Sequence, residues 1–141
     1  MPYSTQSDIL DQIDETTLVS LTDDAGTGSV DDDVVTRAIA DADAEIDGYC
    51  GKKYEVPFSP VPDLIRKFSV VIAIKNLFAR RRGAPDSRRQ DYEDAIKFLK
   101  EVSKGNATLG EDDPADVPQS SHAPEIESAD RIFDRDSLKN W

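Results

Sequence analysis

Apolar residues recur at three- and four-residue spacings along much of the first 105 residues, and no run alternates as a half-buried strand does. The clearest repeat predicts a helix from Asp32 to Tyr49, capped by Asp31 or Asp32. Its apolar face consists of Val35, Ala38, Ile39, Ala42, Ile46 and Tyr49. The pattern therefore predicts an all-α fold.

Two more long helices follow a connector that holds three prolines, GKKYEVPFSPVPD. The stretch LIRKFSVVIAIKNLFARRR, opened by Pro62 or Asp63, is apolar on nearly every side in its middle and predicts the central core helix. A last helix begins at Asp86 or Ser87 and ends at Gly105. Its predicted buried stripe comprises Tyr92, Ala95, Ile96, Leu99 and Val102.

Two short helices are predicted near the N-terminus, one capped by Thr5 or Ser7 and the other by Asp14. Both are too short to be stable without a partner surface. Residues 1–110 are thus expected to form a small bundle of four to five helices.

Residues 111–141 differ in composition and are predicted to form an extended C-terminal docking tail. The segment is rich in Pro, Ser, Asp and Glu, which bury too little apolar surface to offset the entropy of ordering. Its end, RIFDRDSLKNW, regains four large apolar residues, which predict docking on a partner surface: Ile132, Phe133, Leu138 and Trp141. The alternative is that this end packs back on its own bundle.

The net charge of −12 is unevenly distributed. Residues 1–50 hold 13 acidic residues and one basic residue, residues 51–110 hold 7 and 13, and residues 111–141 hold 9 and 3. An acidic–basic–acidic chain suits contact between copies but argues against simple binding to duplex DNA. The predicted subunit interface sets Asp41, Glu45 and Asp47 against Arg80, Arg81, Arg82, Arg88 and Arg89. The alternative for these arginines is a solvated helix end that matches the helix dipole.

The sequence carries no pattern that predicts catalysis or a cofactor. It has no Gly-rich phosphate loop, nucleophile elbow or zinc spacing, and only one Cys and one His. Two acidic pairs four residues apart, Asp41/Glu45 and Asp43/Asp47, are interpreted as a solvated helix face. We expect no enzyme, and no apolar run is long enough to cross a membrane.

The segment LTDDAGTGSVDDDVV resembles a calcium loop at first sight. Counting from Asp23 places Gly28 correctly at position 6, but Ala25 falls at position 3 and Val34 at position 12, where EF-hand loops carry oxygen ligands. We expect a turn followed by a helix cap, with no metal beyond weak calcium binding between Asp23 and Asp33.

Several stretches resemble the phage Mu-type small head-tail connector family. They include MPYSTQSDIL, LTDDAGTG, ADADAEIDGYC with GKKYEVPF, VPDLIRKFSVVIA, YEDAIKFLKEVSKGNATLG and RIFDRDSLKNW. The resemblance implies a helical adaptor that forms a homo-oligomeric ring, expected to be a dodecamer, in the neck of the virion. Such a ring would join the portal protein to the next neck or tail-completion protein, while DNA passes through its channel. The resemblance therefore implies that the partner surface of the tail is the portal protein, docked by Ile132, Phe133, Leu138 and Trp141.

The leading hypothesis is therefore a structural connector of a tailed phage or prophage, made in the host cytoplasm. A different class remains open: an acidic module that mimics nucleic acid and inhibits a nucleic-acid enzyme, using residues 8–47 as a decoy.

Overall fold

The fold is known from a computed structural model that describes residues 1–81 and 83–110. Over these residues the chain forms five helices and no strand, which confirms the predicted all-α bundle. The helices are α1 (Gln6–Leu10), α2 (Glu15–Thr22), α3 (Asp32–Cys50), α4 (Asp63–Arg81) and α5 (Asp86–Lys104). The predicted tail, residues 111–141, lies outside the described residues.

Helix α4 is the centre of the bundle, as its apolar pattern predicts. It contacts each of the other four helices, and α3 and α5 also contact each other. Ile65, Ile72 and Leu77 on α4 have no exposed surface. None of the five described helices is long and apolar enough to cross a membrane.

The three long helices alternate in direction. Asn76 on α4 donates to the carbonyl of Ala38 on α3, and Ser69 on α4 pairs with Asp43, so α3 and α4 are antiparallel. The ring centroids of Phe68 on α4 and Phe98 on α5 are 5.5 Å apart, so α5 turns back beside α4. The bundle therefore has a loop end (residues 22–33, 78–81 and 83–89) and a connector end (residues 50–63 and 104–110).

Local capping chemistry fixes where the helices begin and end. Thr5 forms a capping box with Asp8, Asp14 accepts from the Thr17 amide, and Asp31 caps α3. Gly105 ends α5 in the left-handed conformation, with φ of 88°. In each case a side chain or a glycine satisfies backbone groups that a helix end leaves unpaired.

The burial of two residues differs from the sequence interpretation. Cys50, on the last turn of α3, has no exposed surface. Tyr92 and Ile96 belong to the predicted buried stripe of α5 but are only half-buried. Helix α5 packs mainly on α3 and α4, so the margins of its apolar stripe reach the surface.

Candidate functional site

A cluster of arginine and aspartate side chains holds the loop between α2 and α3 against the end of α4. The guanidinium groups of Arg80 and Arg81 bind the two carboxylate oxygens of Asp24 at 2.7 and 2.5 Å. Arg80 also donates to the carbonyl of Leu21 at 2.7 Å. Hydrogen bonds from both arginines hold the pKa of Asp24 below its usual range.

The neighbouring Asp23, the first position of the apparent calcium loop, is used within the turn itself. Its carboxylate accepts from the backbone amides of Thr27 and Gly28 at 2.8 and 2.7 Å, which lowers its pKa. Gly26 and Gly28 have positive φ angles of 76° and 84°, so the turn needs glycine at both positions. Within residues 1–81 and 83–110 no three acidic, His or Cys side chains are grouped as metal ligands would be.

The other arginines of the predicted subunit interface also contact their own domain. Arg88 donates to the carbonyl of Gln12 at 3.0 Å, and Arg89 binds Asp86 at 2.6 Å one turn away. Arg82 lies outside the described residues. These contacts account for some of the donors of each arginine, since a guanidinium group carries five N–H donors.

The predicted acidic partners on α3 differ from one another in their surroundings. Glu45 accepts a hydrogen bond of 2.8 Å from Tyr92, whose ring lies 4.4 Å from the ammonium group of Lys75. Burial, together with the bond to Glu45, raises the pKa of Tyr92 to about 12. Asp41 is exposed and forms no hydrogen bond or ion pair with any described residue.

Asp43 and Asp47 do not form the solvated face that their spacing suggested. The hydroxyl of Tyr3 donates to Asp47 at 2.5 Å, and the backbone amide of Tyr3 donates to Asp43 at 2.9 Å. The same hydroxyl accepts from the amide of Phe58 at 3.0 Å. The interpretation was wrong because the N-terminal segment crosses α3 at this level and covers the two carboxylates.

The same hydrogen-bond network extends to α4. Ser69 donates to Asp43 at 2.7 Å, and its oxygen lies 2.7 Å from the hydroxyl oxygen of Ser4. Burial raises the pKa of Asp43 and Asp47 adds to this effect, while the bonds from Ser69 and Tyr3 act in the opposite direction. The N-terminal segment, α3, α4 and the connector are therefore joined at one site. The sequence offers a faint signal for it: a serine in the apolar run of α4 and a tyrosine in a polar N-terminus.

An open groove of about 650 Å³ runs between α1, α4 and α5. Its floor is apolar, and Leu64, Val71 and Phe98 are partly buried there. Its rim carries eight charged residues, Asp8, Asp11, Asp63, Arg66, Lys67, Arg88, Asp91 and Asp94. It has the apolar floor and polar rim of a docking surface.

The structure leaves the predicted interface as two separate sets. Arg80, Arg81 and the arginines at the start of α5 lie at the loop end, whereas Asp47 lies one turn from the connector end. No described arginine of the set contacts Asp41, Glu45 or Asp47 within the chain. Contact between the two sets in different copies stays a prediction, and the docking residues Ile132, Phe133, Leu138 and Trp141 lie outside the described residues.

Comparison with known proteins places the chain among phage proteins. Residues 3–128 match the family model described as Bacteriophage Mu, Gp36. The Mu-like prophage FluMu protein gp36 of Haemophilus influenzae (strain ATCC 51907 / DSM 11121 / KW20 / Rd) is 34% identical over 113 residues, which cover 80% of this chain and 79% of the relative. Gene product J of Escherichia phage Mu is 30% identical over 138 residues, 96% of each chain. The chain, an all-α bundle with an internally bonded N-terminal segment, belongs to the Bacteriophage Mu Gp36 family.

Proposed function

We propose that the protein is a non-enzymatic head-tail connector of a tailed phage or prophage. Copies would assemble as a ring in the neck of the virion and join the portal protein to the next neck or tail-completion protein. The proposal rests on the resemblance of the sequence to phage Mu-type small head-tail connectors, and the match of residues 3–128 to the Bacteriophage Mu Gp36 family supports a phage protein. The DNA would pass through the ring without sequence-specific contacts.

The surface of the domain supports assembly by contact between unlike faces. Three exposed aspartates, Asp31 to Asp33, lie at the start of α3 at the loop end. Three exposed lysines, Lys52, Lys53 and Lys104, lie at the connector end. The loop end also carries Arg80, Arg81, Arg88 and Arg89, so the two ends differ in local charged patches rather than in overall sign. Patches of opposite charge favour a head-to-tail contact, which closes into a ring when the rotation between copies permits.

Asp41 is the best candidate among the predicted ring contacts on α3. It is exposed and has no partner among the described residues, whereas Glu45 and Asp47 accept hydrogen bonds from tyrosines. Arg88 and Arg89 lie at the start of α5 and keep further donors for a neighbour. A neighbour would therefore meet Asp41 without first breaking an internal bond.

The alternative of an acidic decoy fits the fold less well. A decoy needs many carboxylates free on one surface, but those of Asp23, Asp24, Asp43 and Asp47 are bound within the domain. Residues 8–47 therefore do not form one continuous free acidic strip.

Size-exclusion chromatography with light scattering, on the full chain mixed with the portal protein of the same phage, tests the proposal. We expect a stable complex with several copies per portal ring, fewer copies with Asp41→Lys, and lost binding with Trp141→Ser. Val117→Ser, in the same tail, is the matched control and should bind as the unaltered chain does. Absence of any complex with the unaltered chain would refute the connector role.

A further inference from the structure

The groove between α1, α4 and α5 is an apolar surface that no described residue covers. Its floor includes Phe68 and Ile74, which are almost fully buried, and the partly buried Leu64, Val71 and Phe98. Among the described residues, Met1 is the one large apolar side chain with high exposure, and partly buried apolar residues also occur outside the groove, among them Leu10, Tyr49 and Ile96. A volume of about 650 Å³ has room for two or three large side chains.

The charge of the groove indicates what kind of segment it would accept. The rim carries five aspartates, Asp8, Asp11, Asp63, Asp91 and Asp94, against three basic residues, Arg66, Lys67 and Arg88. An occupant should therefore combine large apolar side chains with a slight excess of positive charge.

One stretch of this chain outside the described residues has that composition. Residues 131–141 contain three basic and two acidic residues, together with Ile132, Phe133, Leu138 and Trp141. Residues 111–130 contain seven acidic residues and no lysine or arginine, so they would be repelled by the rim. The match in charge and apolar content is specific to the last eleven residues.

We propose that this groove binds the chain's own segment 131–141. The twenty residues between Gly110 and Arg131 span at most about 70 Å when fully extended. A domain of this size has a radius of gyration of about 13 Å, so its whole surface lies within reach. Leu109, only 5% exposed, fixes the start of the connecting stretch to the bundle.

Attachment to the same chain favours this occupant over a second copy in dilute solution. A connection of this kind gives an effective concentration of about 1 mM. A segment with an intermolecular dissociation constant of about 0.1 mM would then be docked in about nine of ten molecules. A tenfold weaker contact would leave it docked in about half of them.

The inference does not depend on the connector function. If segment 131–141 docks in the groove and the protein is also a connector, the segment must leave the groove before it can bind a portal protein. The groove and the portal protein would then compete for the same apolar side chains. The competition would keep the apolar end covered in the free protein.

The sole tryptophan of the chain, Trp141, reports on the proposed contact directly. We expect its emission in the full chain to be shifted to shorter wavelength, and its quenching by acrylamide to be weaker, than in a free peptide of residues 131–141. Val71→Asp places a charge on the groove floor and should increase quenching. Ile96→Asp, at a half-buried helical site that does not line the groove, should leave it unchanged.

Two further variants act from the other side of the contact without altering the bundle's core. Leu138→Asp should expose Trp141 as Val71→Asp does, whereas Val117→Asp should not. Circular dichroism on each variant shows whether the helices are retained. If Val71→Asp fails to fold, the pair of tail variants still tests whether Leu138 is needed for protection.

Three results would overturn the proposal. Trp141 as quenchable in the full chain as in the peptide would mean that the segment does not dock. Protection that survives Val71→Asp in a folded variant would place the segment elsewhere. Protection that increases with protein concentration, together with a larger mass by light scattering, would make a second copy the occupant.

Discussion

Removing the hydroxyl of Tyr3 should show how much the N-terminal hydrogen-bond network stabilises the domain, apart from the packing of the Tyr3 ring. Tyr3→Phe keeps the ring, which is 3% exposed and lies 5.8 Å from the ring of Phe58 between centroids. It removes a donor to Asp47 and an acceptor for the amide of Phe58. The variant therefore changes hydrogen bonding and leaves packing nearly intact.

The expected magnitude follows from those two bonds. Leaving the buried amide of Phe58 without an acceptor costs about 1–3 kcal/mol. The bond to the half-buried Asp47 adds about 1 kcal/mol, because water can replace part of what the carboxylate loses. Burying the hydroxyl itself costs desolvation free energy, which the phenylalanine variant avoids. We therefore expect a net loss of about 2–3 kcal/mol in the free energy of unfolding.

Urea unfolding of the full chain, followed by circular dichroism at neutral pH, measures this loss. The midpoint of thermal unfolding should fall by roughly 10–20 °C if the domain unfolds as one unit. Tyr92→Phe is the matched control: it removes one hydrogen bond, to Glu45, from a half-buried hydroxyl that water can reach. We expect about 1 kcal/mol or less for that variant.

Equal losses in the two variants, within about 0.5 kcal/mol, would refute the reasoning, since the buried amide of Phe58 would then contribute nothing. Alkaline pH gives a second check. Burial, aided by the bond to Asp47, raises the pKa of Tyr3. Its stabilising contribution is therefore present below its ordinary pKa of 10.0 and is lost as the pH rises through the folded value, a loss that Tyr3→Phe should abolish.

Three further predictions concern the loop end, the last helix and the core. Because the pKa of Asp24 is lowered in the folded state, its ionised carboxylate stabilises the domain above the ordinary pKa of 3.8, and this stabilisation is lost as the pH falls through the folded-state pKa. In Asp24→Asn the urea midpoint should therefore fall less steeply with decreasing pH than in the unaltered chain. Gly105→Ala should destabilise the domain by about 1 kcal/mol or more in urea, because φ is 88° and a Cβ atom would lie 3.1 Å from the ammonium group of Lys53. Gly48→Ala is the control: Gly48 lies within α3 and a Cβ atom there would have no atom within 4 Å, so the change should stabilise the domain by about 0.5–1 kcal/mol. Leu77→Ala, at a site with no exposed surface, should cost about 3–5 kcal/mol in the same assay, and a loss below about 1 kcal/mol would contradict its central position.

The helices could be predicted because the signals that specify them are local. Spacing of apolar residues, a capping side chain and a glycine after the last turn all act within a few residues. The Asp14 cap and the Gly105 ending were readable for this reason. The central position of α4 could also be predicted, because a helix that is apolar on most sides buries its apolar surface only when other helices pack on most of those sides.

The contacts that give the acidic residues their roles could not be predicted, because they join distant parts of the chain. Tyr3 meets Asp43 forty positions away, and Arg81 meets Asp24 fifty-seven positions away. A spacing of four on a helix says that two carboxylates share a face but not what covers that face. Without that information Asp43 and Asp47 were interpreted as solvent-exposed, although the N-terminal segment binds both.

The folded domain also changes how its charge bears on assembly. The uneven net charge led to the prediction that three acidic residues of α3, Asp41, Glu45 and Asp47, meet arginines of a neighbouring copy. In the fold, carboxylates such as that of Asp24 are committed to internal partners, and a neighbour could engage them only through remaining lone pairs or by displacing an existing bond. Exposed charges that have no partner among the described residues, such as Asp41 on α3, impose no such penalty. Selectivity between copies should therefore depend on the charges that folding leaves unpaired, and these are fewer than the composition implies.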